Sequence, residues 1–432
     1  MRLVPIKQII NQSITFKQIL QSGSVTLLYR ILGLLLNFII TFIITKKYGE
    51  GVFGNYSLIF TLIQASTMIF SLGLPNAMIN YLGIYKIDDC FSQFLLKKGL
   101  KIILIVSILP SLLYLILANF IAVDIFNNKN LISYILVVGI TLPFFIIHEF
   151  FLNFFVATKK FKKYNIFMFV VPNFLFLSLL LFITISNDNQ FYTILFYSLS
   201  VVVTGIIELF FVFKKHQKKQ KHTLTSKEIL QFSSPMMLSS LMLFLLNWTD
   251  VFMLGAMVSE EEVGIYNLAY KLASLAMLVI ISLNIVLAPK ISQLFKQNEI
   301  KELHSTIVKS TRLVILLTTP LVLGLIFFSE FILGLFGQNF IQGKTTLIVI
   351  AIGVLINVST GNVDQILNMT NHQKILQNIT IFGFILNVVL NYFLIPKYGM
   401  EGSAIASLVT NALFNLTCLY FIKRKLGFYT FV

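Results

Sequence analysis

The chain alternates long apolar stretches with short polar or basic breaks from one end to the other. Runs such as IFMFVVPNFLFLSLLLFITI (166–185) carry no charge at all. Roughly 20 residues of this kind form a helix long enough to cross the hydrocarbon core of a bilayer. Twelve spans can be placed, near 24–45, 55–83, 100–123, 131–156, 165–186, 191–213, 231–257, 264–288, 311–333, 345–369, 374–395 and 401–422. A membrane β-barrel would show segments of about ten residues alternating with period two. The continuous runs show none of this, so the expected fold is an all-α polytopic membrane protein.

The pattern repeats. Ile19-Leu20-Gln21 returns as Ile229-Leu230-Gln231, and Leu35-Leu36-Asn37-Phe38 as Leu245-Leu246-Asn247-Trp248. Gly54-Asn55-Tyr56-Ser57-Leu58 matches Gly264-Ile265-Tyr266-Asn267-Leu268, and Phe211, Lys214 and Lys215 match Phe421, Arg424 and Lys425. All four pairs share one offset of 210 residues. Two six-helix lobes are therefore expected, 1–213 (with an interfacial N-terminal helix) and 231–432, joined by a basic cytoplasmic linker at 214–230. Six spans per lobe give both lobes one orientation, related by a pseudo-two-fold axis along the membrane normal.

Composition agrees with lipid as the main solvent: 57% of residues are hydrophobic and 12% charged, with a mean hydropathy of +0.87. The net charge of +16 suggests nucleic acid until the basic residues are placed on the spans. Loops on one side hold only Lys46, Lys47, Lys129, Lys344 and Lys397, and only Arg30 and Lys271 lie more than two residues inside a span. The rest of the 33 Lys and Arg residues gather on the other side, including the cluster Lys214–Lys227. That asymmetry marks the basic side, with both termini, as cytoplasmic. It reports topology and implies no nucleic-acid partner. Cys90 and Cys418 form neither a disulfide framework nor a metal site. No signal peptide is expected, and residues 3–20 mix apolar and polar positions as an interfacial helix does.

GVFGNYSLIFTLIQASTMIFSLGLPNAMINYL (51–82) resembles the first-lobe signature of bacterial polysaccharide, or O-antigen, flippases. FMLGAMVSEEEVGIYNLAYKLASLAM (252–277) is similar to their second-lobe counterpart. LNVVLNYFLIPKYGMEGSAIASLVT (386–410) resembles their late Asn-rich helix, Pro-x-Tyr-Gly turn and small-residue helix. The likeness covers nearly the whole chain. It implies membership of the multidrug/oligosaccharidyl-lipid/polysaccharide exporter superfamily. It also implies transfer of undecaprenyl-diphosphate-linked sugar repeat units from the cytoplasmic to the outer leaflet of the bacterial plasma (inner) membrane. Polysaccharide polymerases are the further partners it suggests. The stripe Gly402, Ser403, Ala404, Ala406, Ser407 is read as close helix packing.

Ionisable groups inside spans are costly, so they face a partner or a wet cavity. Asp250 and Lys271 sit at equal depth on antiparallel spans seven and eight, which predicts a pair. That pair either fixes two helices together or faces a cavity, with Lys271 available to a diphosphate. Arg30 can snorkel to the interface or meet a diphosphate entering from inside, because guanidinium grips phosphate oxygens as a fork. Arg312 begins span nine beside the basic loop, where it snorkels to the interface or binds substrate, and Asn37 and Asn247 complete the candidate substrate contacts. Glu149 and Asp364 each precede an Asn by four residues in spans four and ten, and with Glu208 they are candidates for proton or sodium coupling, or for a cytoplasmic gate. Glu208 alternatively meets Lys214 and Lys215, and His148 carries little weight because adjacent helical residues point apart.

QNFIQGKTT (338–346) imitates a phosphate loop, but Gln338 stands where Gly is needed and the topology puts it outside. No cofactor and no metal are expected, and no catalytic residues. Two rival functions remain: a drug/cation antiporter of the same superfamily, and a membrane polymerase or ligase of polysaccharide assembly. The second lacks a loop domain to hold its chemistry. Arg30 and Lys271 favour an anionic substrate over a cationic drug.

Overall fold

A computed structural model describes residues 6–84, 89–184, 189–213 and 224–431. Within them every regular element is helical. Nine stretches among the described residues are long and apolar enough to cross a membrane. Two of these are double. A helix running from Ile6 to Phe70 bends at Gly49 (φ 82°), and one from Gln373 to Leu426 bends at Gly399 (φ 53°). Both glycines adopt left-handed backbone that would strain any L side chain. Dividing the helices there, and adding Ser226–Met257, gives twelve: α1 (6–48), α2 (50–70), α3 (89–125), α4 (Leu131–Ala157), α5 (161–184), α6 (Phe191–Val212), α7 (Ser226–Met257), α8 (260–296), α9 (Ile300–Phe327), α10 (Lys344–Thr360), α11 (373–398) and α12 (400–426).

The twelve spans stand, with moved ends. Span two stops at Phe70, because Leu72 (φ 53°) and Gly73 (φ 69°) turn the chain before a short helix, Leu74–Ile84. Span ten stops at Thr360, because Gly361 (φ 76°) breaks the helix. Apolar runs carry on across both breaks, so hydropathy alone joined what the backbone separates. The helix from Ile6 is continuous with α1. Large apolar side chains stand exposed on the outside, among them Phe210 (81%), Phe182 (78%) and Ile116 (75%). In water such a surface would aggregate; in lipid it is the solvated face.

The described residues form two compact units. The first joins the segment up to Phe42 with Ser66–Ala118 and Ser133–Leu238; the second joins Ile43–Ala65, Asn119–Ile132 and the chain from Ser239 onward. The first unit is packed with aromatics. Phe150, Phe151, Phe154, Phe155 and Phe176 are among its largest fully buried side chains. Its polar groups close backbone gaps. Pro143 in α4 has no N–H for the carbonyl of Gly139, and the Ser111 hydroxyl of α3 donates to that carbonyl instead. Buried Gln93 donates to the last carbonyl of α6, Val212, at 2.8 Å. Ser111→Ala is expected to leave the Gly139 carbonyl unsatisfied, at a cost of about 1–2 kcal/mol. A melting curve of purified protein in detergent checks this; an unchanged midpoint would remove the role.

In the second unit, α8 starts on SEEE (259–262). Ser259 caps it by accepting from the Glu262 N–H, and three acids occupy the first turn, where the helix dipole favours them. An apolar cluster centred on Ile291, Leu303, Ile307, Leu367 and Ile422 joins α8, α9 and α12.

Candidate functional site

Asp250, on α7 in the second unit, is the centre of the densest buried polar cluster among the described residues. It is 5% exposed and accepts four hydrogen bonds. Tyr266 of α8 donates its hydroxyl at 2.8 Å to Oδ2, and Ser407 of α12 donates to the same oxygen. Asn391 and Asn387 of α11 donate their amides to Oδ1 at 2.7 and 3.1 Å. The two asparagines stand four residues apart on one helical face, and the Asn391 amide also donates to Asn387 Oδ1 at 3.0 Å. Asn391 Oδ1 is buried with no hydrogen-bond partner.

This arrangement corrects the expected Asp250–Lys271 pair. All four recorded partners of Asp250 are neutral, and Lys271 is not among them. The reason is rotational. Lys271 lies five residues beyond Tyr266 on α8, a turn of about 140° at 100° per residue. Its ammonium sits 6.0 Å from the Phe53 ring of α2, in the same unit. Depth differs as well: α8 begins at Glu260, so Lys271 lies eleven residues from its outer end, whereas Asp250 lies seven from the outer end of α7.

Chemically, the site offers a carboxylate, two carboxamide oxygens and two hydroxyls, all on buried residues except the half-buried Ser407. Oxygen donors of that kind suit a proton or a hard monovalent cation. Transition-metal ligation is a different chemistry, and no cluster of three His, Cys, Asp or Glu suited to a metal occurs among the described residues. Asn387, Asn391 and Tyr266 were not singled out from sequence, and Ser407 was assigned to packing alone. Paired Asn at i and i+4 in an apolar helix was the available signal.

The first unit holds a second titratable cluster. His148 Nδ1 of α4 lies 2.9 Å from Glu208 Oε2 of α6, with Glu208 fully buried and its Oε1 without a hydrogen-bond partner. Glu149 accepts the amide of Asn153, four residues on, at 2.8 Å. Glu208 thus meets His148; Lys214 and Lys215, its expected partners, lie outside the described residues. His148 deserved more weight than adjacency suggested, since it points to α6.

The other candidates are dispersed. Asp364 is not in a span: it occupies the first turn of a short helix, Val363–Met369, and is exposed. The parallel with Glu149 fails because Gly361 ends α10 ahead of it. Arg30 is half-buried in α1, where the Asn37 carbonyl accepts from Thr41 at 2.8 Å, and Arg312 is exposed on α9. The Asn247 side chain lies outside the described residues.

The apolar spans, with polar and charged groups set among them, make the chain a multi-pass helical membrane protein. Within that class, the chain belongs to the polysaccharide biosynthesis protein family, whose model matches residues 19–295. A second family model, MatE, matches residues 235–393. The probable low-salt glycan biosynthesis flippase Agl15 of Haloferax volcanii is 26% identical over 188 residues, covering 43% of this chain and 40% of that protein. The probable flippase AglR of the same organism is 26% identical over 175 residues, covering 39% of this chain and 36% of its own. The chain therefore spans about two fifths of the length of these curated relatives. Among solved structures, lipid II flippase MurJ in an inward closed conformation superposes with a TM-score of 0.76 at 16% identity, covering 94% of this chain and 87% of its own. An inward-facing multidrug resistance MATE family transporter gives 0.75 at 15% identity, covering 94% and 98%. The protein thus has the twelve-span, two-lobe fold of this superfamily.

Proposed function

We propose that the protein is a flippase that carries an oligosaccharide linked to undecaprenyl diphosphate from the cytoplasmic to the outer leaflet by alternating access. The observation that carries this reading is the family match over residues 19–295, a stretch containing both cationic groups of the spans, Arg30 and Lys271. A diphosphate needs such cations, since guanidinium and ammonium groups replace the water it leaves. Names of similar proteins, probable glycan flippases and a lipid II flippase, support the substrate class.

In this reading the site around Asp250 couples transport to a proton or sodium gradient, with His148 and Glu208 as a second ionisable pair. No chemical step is involved. The protein sits in the plasma membrane of a bacterium with both termini cytoplasmic, beside the polymerase that consumes its product. The MatE match over 235–393 favours a second reading, an antiporter of cationic drugs, because it covers Asp250 and three of its four partners, Tyr266, Asn387 and Asn391.

Deletion of the gene followed by lipid analysis tests the choice. The flippase reading expects lipid-linked repeat units to accumulate on the inner leaflet; drug sensitivity without accumulation would replace it. Arg30→Ala and Lys271→Ala are each expected to lower complementation about tenfold or more while the protein still reaches the membrane, as loss of one charged contact implies. Full complementation by both would remove the diphosphate contacts.

A further inference from the structure

The second unit contains a structural echo of the sequence repeat that the coupling site does not use. Glu50 and Glu260 are repeat equivalents, 210 residues apart, at the starts of α2 and α8. Each carboxylate is held by an asparagine from a connecting loop. Glu50 Oε1 accepts from Asn339 at 2.6 Å, and Glu260 Oε2 accepts from Asn128 at 2.5 Å. Asn128 and Asn339 are themselves 211 residues apart, so they too are equivalents within one residue. Buried Asn55 adds a third arm, donating to Glu260 at 2.6 Å and accepting from Asn128 at 2.8 Å.

Between the two carboxylates, α2 and α8 meet on another repeat-equivalent pair, Gly54 and Gly264. A Cβ added at Gly54 would overlap the Glu260 carbonyl oxygen and come within 2.9 Å of the Gly264 nitrogen. One added at Gly264 would overlap the Glu50 carbonyl oxygen and come within 3.0 Å of the Gly54 nitrogen. Three equivalent pairs (two acids, two amides and two glycines) thus converge on one crossing. General packing needs a small residue at a close helix contact, but it does not need the same acid–amide bond on both sides. A cavity of about 560 Å³ lined by Asn55, Phe126, Asn128 and Glu260 adjoins the crossing, so the Glu260 arm sits at a space that solvent or substrate can fill.

We propose that Glu50–Asn339 and Glu260–Asn128/Asn55 are a duplicated latch that holds the non-basic face of the protein shut. Its release lets α2 and α8 part at the Gly54–Gly264 crossing. Charge-assisted bonds from neutral amides fit this task. They are strong enough to bias a two-state equilibrium, yet they break without stranding a second charge. The Glu50 arm is exposed and has one amide; the Glu260 arm is partly buried and has three, Asn130 adding a long bond of 3.4 Å, so the second should contribute more. The latch deepens the transport reading, because it assigns residues to the closed outer face that alternating access requires.

Accessibility measures it without any substrate. In a Cys90→Ser, Cys418→Ala background, Gln64→Cys and Tyr270→Cys report nine and ten residues further along α2 and α8 than Asn55 and Glu260. A membrane-impermeant maleimide is applied to intact cells and, as control, to inverted vesicles. Glu50→Ala is expected to raise labelling from outside several-fold, Glu260→Ala about tenfold, and the double variant about a hundredfold, as loss of charge-assisted bonds implies. Unchanged outside labelling in the double variant overturns the latch. Should that variant fail to reach the membrane, Asn128→Cys with Glu260→Cys is bridged by a short bifunctional thiol reagent. Bridging is expected to leave the reporters sealed from outside and to stop complementation, and outside labelling as fast as in the unbridged protein overturns the proposal. If bridging seals the face but no lipid-linked sugar accumulates in the deletion strain, the latch stands and the flippase reading falls.

Discussion

Asp250→Ala is expected to abolish complementation and to destabilise the protein, whereas Asp250→Asn abolishes complementation at much smaller cost to stability. Alanine removes the acceptor that Tyr266, Asn387, Asn391 and Ser407 share, and among the described residues only the two amides keep a second one, Asn391 in Asn387 Oδ1 and Asn387 in Ser407 Oγ. Each buried donor left without a partner costs about 1–3 kcal/mol. In a span no water replaces the lost acceptor, so several such terms act together. Asparagine keeps the shape and one carbonyl acceptor, and the Tyr266 and Ser407 hydroxyls can turn to serve either an acceptor or a donor. What asparagine cannot do is hold a proton or balance a cation. Melting midpoints in detergent separate the two variants, and complementation reads transport. Gradient-dependent transport by Asp250→Asn at the wild-type rate would exclude this carboxylate as the coupling group.

Gly264→Ala is the second expected large effect. One methyl group there meets backbone, the Glu50 carbonyl oxygen, so no side chain can move aside to receive it. The helices must separate, at about 1–3 kcal/mol for overpacking alone, and the acid–amide bonds on both sides of the crossing lengthen with them. Gly54→Ala, facing the Glu260 carbonyl, should behave alike, and the double variant should cost less than the sum because the first methyl has already parted the helices. Gly324→Ala is the control. No atom lies within 4 Å of a Cβ there, and α9 should gain slightly from a better helix former. Monodisperse yield and melting midpoint measure all four variants. Equal stability of Gly264→Ala and Gly324→Ala would contradict the close crossing.

The ion pair expected between Asp250 and Lys271 shows where linear reasoning stopped. Depth follows from counting residues to a helix end, and the count moved when α8 proved to begin at Glu260, four residues earlier than its apolar run. Direction depends on where each helix is rotated about its axis, which neighbours decide. Glu149 and Asp364 teach the same lesson from the backbone. Their shared spacing to an Asn is real, but Gly361 ends one helix before its acid and nothing ends the other. Similar letters then serve different surroundings. His148 is the opposite case: adjacency turns it away from Glu149, and its partner Glu208 lies 60 residues away on α6.

The sequence by itself determined the twelve helices, their placement in lipid and the internal repeat. It could do so because each apolar run satisfies its backbone within itself, and hydrocarbon admits no other open structure. The offset of 210 residues needed no coordinates either. Only the tertiary structure decided which polar groups meet. Three helices converge on Asp250, with Tyr266, Asn387, Asn391 and Ser407 between 16 and 157 residues away. It also showed that the repeat is used in space, with Gly54 against Gly264. A buried carboxylate takes its character from the donors around it, and those donors are chosen by helix packing, which no local pattern records.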